Sequence, residues 1–387
     1  VSRSLSSILP FVLIVLSLVA ALHYYVWARL VRDPALPPIA HAALTGLMVL
    51  LFLSVPATLF FARRADADQL RPLLLGAYGW IGLLFILVML LTVTDLGLLL
   101  ASLIAQLGNE RSPADPEKRA TISRLLGVSV ALVAGGAGTA AVRSGLGQLV
   151  VKQVDVALRR LPAALDGTTI VQLTDVHVGP TIRREFIESV VERANALEPD
   201  VIAITGDLVD GSVDQLREHV APLANLRARY GVYFVTGNHE YYSGAEAWCA
   251  ELGRLGIRVL RNERVSIGTD EHSFDLAGID DWSARPDLEK AVAGRDHSRE
   301  LVLLAHQPRA IHEADALGVG LQLSGHTHGG QIFPWNLFVR LQQPVVSGLH
   351  QIGNALIYVS NGTGYWGPPM RLGAPAEITK VVLSRAA

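Results

Sequence analysis

The sequence predicts an α/β domain carried behind a bundle of four membrane-spanning helices. Three observations predict it. The first third of the 387-residue chain consists of long apolar runs with few charges. Beyond them, short apolar strand-like runs alternate with stretches of helical periodicity. Five of those runs end in clusters of His, Asp or Asn.

Composition narrows the class. Half of the residues are hydrophobic and the mean hydropathy is +0.36, too apolar for an ordinary soluble enzyme. A net charge of −2 provides no global basic field, so nucleic acid is not an expected partner. The single cysteine, Cys249, excludes an internal disulfide framework and reads as a packed thiol in a helical stretch.

Residues 1–148 form the expected membrane region, with spans over 8–30, 39–62, 73–94 and 125–142. A run of about 20 apolar residues crosses a hydrocarbon core about 30 Å thick. The first run also resembles a secretory signal, but its length and the spans behind it favour an uncleaved helix. Asp95 is costly at a bilayer centre, so it is expected near a membrane surface, with Leu98–Leu107 as a helical extension. A proton relay is the competing role for it. The fourth run, rich in Gly and Ala, suits a closely packed helix. Asn109–Glu117 reads as a polar loop between spans.

Orientation rests on basic residues. Four crossings group Arg29 and Arg32 with Arg111, Lys118, Arg119 and Arg124, against Arg63, Arg64, Arg71, Arg143 and Lys152. The two sets barely differ under the positive-inside rule. Lys118, Arg119 and Arg124 precede an apolar stretch that ends in Gly138-Thr139-Ala140-Ala141, an export-like order of basic, apolar, then small residues. This places the second domain on the extracytoplasmic side of a bacterial cell membrane as an expectation.

Residues 149–387 form the second domain. An opening strand is expected over 149–156, then strands over 168–173, 201–204, 232–235, 274–278, 301–304 and 321–323. Helical spacing runs from Ile182 to Leu197, from Leu216 to Leu226 with Pro222 as a discordant residue, and from Ala245 to Leu255. In such α/β domains the site lies at the carboxyl ends of the strands. The polar clusters fall there: Asp175 and His177; Asp207; Asn238, His239 and Glu240; His306; and His326 with His328. Alone, a Gly-Asp or Gly-Asn is a turn former, and a lone histidine is a surface residue. Carboxylate, imidazole and amide oxygen donors at five strand ends suit divalent metal instead.

These five clusters, in this order, resemble the calcineurin-like metallophosphoesterases: Asp-x-His, Gly-Asp, Gly-Asn-His-Glu, a lone His, and Gly-His-x-His. Finer matches to a membrane-associated branch include Gly325-His326-Thr327-His328-Gly329-Gly330-Gln331 and the tail from Asn361 through Pro369 and Arg371. The resemblance implies a four-layer sandwich, two mixed sheets flanked by helices. It implies two divalent cations, for which manganese, zinc and iron are all compatible. Asp175, His177 and His328 match the ligands of the first ion, Asn238, His306 and His326 those of the second, and Asp207 the bridging carboxylate. The reaction it implies is in-line attack on phosphorus by a hydroxide bridging the ions, with His239 stabilising the transition state or protonating the leaving group. Apart from the resemblance, Arg371 occupies a tail position where it is either a cation that holds phosphate or an ordinary surface arginine.

Softer candidates lie around the centre. Glu240 either orients a histidine or is a solvated loop carboxylate. Asp280-Asp281-Trp282 forms a loop near the site. Tyr365-Trp366 and Phe333-Pro334-Trp335 either wall the substrate, dock on lipid, or pack. The function expected is a membrane-anchored phosphodiesterase, with a lipid-linked or envelope substrate suggested by the anchor. Protein or small-molecule phosphomonoesterase, and an inactive membrane scaffold of the same fold, are the alternatives.

Overall fold

The computed structural model describes residues 5–61, 67–107 and 115–386. Arg63, Arg64 and Arg111, which entered the orientation argument, and most of the polar loop from Asn109, lie outside the described residues. The chain divides into two compact units, Val1–Arg143 with Pro368–Met370, and Ser144–Gly367 with Arg371–Ala387.

The first unit holds α1 (Leu5–Trp27), α2 (Pro38–Phe61), α3 (Ala67–Leu107) and α4 (Pro116–Gly145). All four are long and apolar enough to cross a membrane. Two exceed the expected spans. Helix α4 begins at Pro116 because Asp115 caps it, accepting from the backbone N–H of Glu117 at 3.0 Å. Helix α3 runs for 41 residues past Asp95 to Leu107, since nothing after Pro72 breaks it. At 1.5 Å per residue that is about 60 Å, twice a hydrocarbon core. Asp95 is neutralised in place: Tyr25 Oη donates to it at 2.7 Å and Arg29 Nε at 3.0 Å.

The second unit opens with β1 (Val150–Leu158) and then alternates. Strand β2 (Thr169–Leu173) leads to α5 (Arg184–Asn195), β3 (Val201–Ile204) to α6 (Val213–Val220), and β4 (Val232–Phe234) to α7 (Asn238–Ser243) and α8 (Ala245–Arg254). After β5 (Arg258–Val259) come β6 (Glu263–Gly268), β7 (Ser273–Gly278), α9 (Leu288–Val292), β8 (Leu301–Leu304), α10 (Ile311–Ala316) and β9 (Leu321–Ser324). Helix α11 (Trp335–Val339), β10 (Gly348–Ile352), β11 (Ala355–Val359) and β12 (Glu377–Arg385) complete it. The helix expected over 216–226 is divided: α6 ends at Val220, and a 3₁₀ turn over Ala221–Asn225 holds Pro222 where no N–H is required.

The strands form two six-stranded mixed sheets, ordered β1-β12-β2-β3-β4-β5 and β10-β11-β9-β8-β7-β6. Side chains alternate across each strand and so build three cores. Ile170, Val201 and Ala203 face inward, where they meet Val302, Leu304, Leu321 and Leu323 from the other sheet. Their neighbours Val171, Ile202 and Ile204 face outward onto α5, α6 and α8 through Ile187, Leu216 and Trp248. Leu301 and Leu303 face the opposite way, onto Ile311 and Ala314 of α10. Continuous Val/Ile/Leu runs are what strands buried on both faces require. The result is helix, sheet, sheet, helix: the expected four layers.

Candidate metal centre

Strands β2, β3 and β4 of one sheet, and β8 and β9 of the other, are neighbouring parallel strands. Their carboxyl ends carry all of the sequence-selected clusters except Arg371. Three overlapping groups result: Asp175, His177 and His328; His177, Asp207 and His239; Asp207, His306 and His326. Within each group the donor atoms lie inside 4.8 Å of one another. His306 Nε2 is 3.1 Å from Asp207 Oδ2, and His328 Nε2 is 3.4 Å from Asp175 Oδ1.

The tautomers are set from behind. His306 Nδ1 lies 2.8 Å from the Thr205 carbonyl, and His177 Nδ1 lies 3.1 Å from Asp210 Oδ2. Each oxygen takes an N–H, which turns Nε2 of both rings into the cluster. His177 Nε2 accordingly faces His328 Nε2 at 3.1 Å. His326 Nδ1 sits 3.2 Å from His306 Nε2. Asn238 Oδ1 is buried without a hydrogen-bond partner. An orphaned buried carbonyl oxygen is costly as it stands, and a cation held by it together with the converging ring nitrogens and carboxylates satisfies it. The residues therefore fit divalent metal.

Electrostatics divide the rings: burial resists charging His306, yet Asp207 and then Asp175 raise it well above the usual imidazole range, so a cation here displaces a proton. Burial opposes charging Asp207, but His306 and then His177 outweigh it and hold the carboxyl well below its usual range. Burial pushes Asp175 up, with Asp207 adding to the effect. Burial and His306 lower His326 to about 4, and burial with His177 and Arg371 depresses His328, so both stay neutral donors. Burial resists charging His177, yet Asp210, then Asp207 and Asp175, raise it to about 9.

Backbone conformation is the least legible part. Asp175, His177, Asp207, His326 and His328 all adopt left-handed φ, from 51° to 71°. Such a conformation costs a non-glycine residue about 1–3 kcal/mol. Five of the seven ligand candidates bear that cost, held by surrounding hydrogen bonds. Glu240 is one holder. It is fully buried and accepts from the backbone N–H groups of Asp207, Leu208 and Gly237 at 3.0, 2.8 and 2.6 Å. It touches no imidazole, so neither earlier reading of Glu240 stands. A Cβ on Gly237 would collide with Asp207, so only glycine lets α7 start this close.

Sequence reasoning left His239 without a supporting carboxylate. Asp210 is that group: it pairs with His239 Nδ1 through one oxygen and with His177 Nδ1 through the other. Burial works against its ionisation, but His177 and His239 hold it far below the usual carboxylate range. Its position three residues after Asp207 was the available signal.

Arg371 requires a correction. It is 1% exposed, and its guanidinium is committed to the Gly364, His328, Asn361 and Ala374 carbonyls and to His328 Nδ1. With all donors engaged it braces the His328 loop and has none left for phosphate. Asp280 and Asp281 are structural as well, holding Arg261 and Asn262, and Gln307, respectively. Around His239, the rings of Tyr242 and Trp366 stand roughly perpendicular to it with centroids 5.3 and 5.4 Å away. Gln331 clamps the Trp366 backbone by donating to its carbonyl and accepting from its N–H, both at 3.0 Å. Tyr365 is packed inside; Trp366 stands exposed at the rim.

Comparison with known proteins agrees with this geometry. The calcineurin-like phosphoesterase family matches residues 168–330. A Danio rerio protein named transmembrane protein with metallophosphoesterase domain is 34% identical over 408 residues, covering 100% of this chain and 91% of that protein. A Bos taurus protein of the same name is 46% identical over 254 residues, 61% of this chain and 57% of its own length. An uncharacterized metallophosphoesterase of Helicobacter pylori is 41% identical over 242 residues, 60% of this chain and 64% of that protein. The chain belongs to the calcineurin-like metallophosphoesterases, in a branch with apolar N-terminal helices. Membership implies divalent metal and a phosphoester substrate.

Proposed function

We propose that the protein is a membrane-anchored phosphodiesterase with a dinuclear metal centre. Residues 1–148 serve as the anchor and 149–387 carry the chemistry. Asp175, His177 and His328 hold one ion, Asn238, His306 and His326 the other, and Asp207 serves both. The observation that carries this reading is the overlap of the three donor groups, two of which share Asp207.

Two divalent ions supply Lewis acidity toward phosphate and activate water as a nucleophile. The chain's own groups do the rest. Thr205 and Asp210 fix the rings of His306 and His177 so that one nitrogen of each points inward. Asp210 holds His239 by Nδ1 and turns Nε2 away from it, so that the doubly protonated ring would give its Nε2 proton to the departing oxygen. Trp366 and Tyr242 flank that ring. Manganese, zinc and iron all suit a mixed N/O donor set. The export-like order before Ala141 supports an extracytoplasmic catalytic unit in a bacterial cell membrane, and the anchor supports a lipid-linked or envelope substrate.

The test is turnover by the purified full-length protein in detergent, loaded in turn with Mn, Zn and Fe, on a panel of diesters and monoesters. Hydrolysis of diesters over monoesters is expected. Turnover confined to monoesters would overturn the diester assignment.

A further inference from the structure

We propose that the segment Phe333–Leu341 docks the catalytic unit onto the headgroup layer of a bilayer and so favours phosphoesters borne on lipid; the substrate half of this inference rests on the phosphoesterase reading above. Phe333, Trp335, Leu337, Phe338 and Leu341 are 56%, 51%, 52%, 45% and 83% exposed. Single exposed apolar residues are ordinary, but a contiguous patch marks an interaction site. The rings of Trp335 and Phe338 lie 5.3 Å apart, so these two share one surface, and Phe333, Leu337 and Leu341 lie within the same nine-residue segment.

Its chemistry selects the occupant. The twenty residues from Gln331 to His350 contain no Asp or Glu, and Arg340 is exposed among the apolar side chains. Trp, Phe and Leu beside a cation, with no acid, complement a layer of phosphate headgroups over acyl chains. The candidate spans tether the chain to such a layer, so docking is intramolecular and needs little affinity of its own.

The patch is mechanically joined to the metal centre. Gly330 lies two residues after His328 at φ 84°, and a Cβ there would fall 2.5 Å from the Asn336 backbone. Helix α11 therefore packs directly against the turn that carries His328. Phe333 N–H donates to the Leu372 carbonyl at 2.9 Å, next to Arg371, which braces the same turn. Fixing the depth of α11 at a membrane surface fixes the depth of the site.

The experiment uses the full-length protein in nanodiscs of phosphatidylcholine and phosphatidylglycerol, on a Cys249→Ser background. A nitroxide is placed by Leu341→Cys, with Glu271→Cys as the aqueous reference. The label at 341 is expected to collide with oxygen and be shielded from a water-soluble nickel chelate; the label at 271 is expected to do the reverse. Nickel access at 341 equal to that at 271 overturns docking. Spin–spin broadening at 341 also overturns it, because a second copy would then cover the patch. The second arm compares hexadecyl 4-nitrophenyl phosphate in the discs with bis(4-nitrophenyl) phosphate in water. The pair Phe338→Asp and Leu341→Asp is expected to lower turnover of the first about tenfold or more and to spare the second. Equal loss on both overturns the selective role. Absence of turnover on both by the unsubstituted, metal-loaded protein would sink the phosphoesterase reading, while the label data still decide docking.

Discussion

The two units treat buried polar groups in opposite ways. In the helical unit they close on one another. Trp80 Nε1 donates to His23 Nε2 at 3.0 Å, Trp27 Nε1 to Thr45 at 2.9 Å, and Asp95 receives both Tyr25 and Arg29. In the catalytic unit, groups able to ligate metal are driven together: the ring nitrogens of His177 against His328 and of His306 against His326, with Asn238 Oδ1 lacking a partner among the described residues. A satisfied network stabilises its own fold. A convergence of ring nitrogens and carboxylates is costly to hold, and the left-handed backbone at Asp175, His177, Asp207, His326 and His328 shows that the rest of the unit holds it there. Closure marks structure, and convergence without closure marks function.

Breaking the convergence at its centre has the largest expected effect. Asp207→Ala removes the oxygen shared by two donor groups, so metal content by mass spectrometry and turnover should both fall to background. A variant that keeps full activity would contradict the assignment. His239→Ala leaves the other donors in place; metal content should hold while turnover drops by about 10²–10⁴-fold. Loss of metal in that variant would make His239 a ligand instead. Asp210→Asn loosens the rings of both His177 and His239, for an expected loss of about 10–100-fold in metal affinity or activity. Isothermal titration with Mn set beside steady-state kinetics separates the two.

Smaller effects sharpen the other side of the contrast. Arg371→Met strands four carbonyls and should cost about 3 kcal/mol or more of stability, read as a lower melting temperature. KM should not change. A raised KM with an unchanged melting temperature would restore Arg371 to substrate binding. Asp95→Asn weakens a partly exposed ion pair and should shift stability by less than about 1 kcal/mol, with turnover intact. A collapse of activity would mean that the helical network does more than hold its helices together.

Much of this was legible from local order. Apolar runs of membrane length, β-branched runs alternating with helical periodicity, and donors placed at the run ends are near-neighbour patterns, and each constrains the backbone within a few residues. The five clusters were found that way. Asp210 was missed because an aspartate after Gly-Asp-Leu-Val looks like any turn carboxylate until two imidazoles from other segments are seen to share it. Arg371 was misread for the converse reason: an arginine in a polar tail looks available until its donors are traced to carbonyls contributed by three separate turns.

The sequence by itself determined which segments are apolar enough for a bilayer, which form the two sheets' central strands, and which side chains are competent metal donors. Tertiary structure alone decided that β12, more than two hundred residues later in the chain, lies between β1 and β2, and that both sheets bring their donors to one place. It also decided that the donors hold left-handed backbone and that Glu240 serves amides instead of imidazoles. Those outcomes depend on contacts between residues distant in the chain, whose energies no local pattern records.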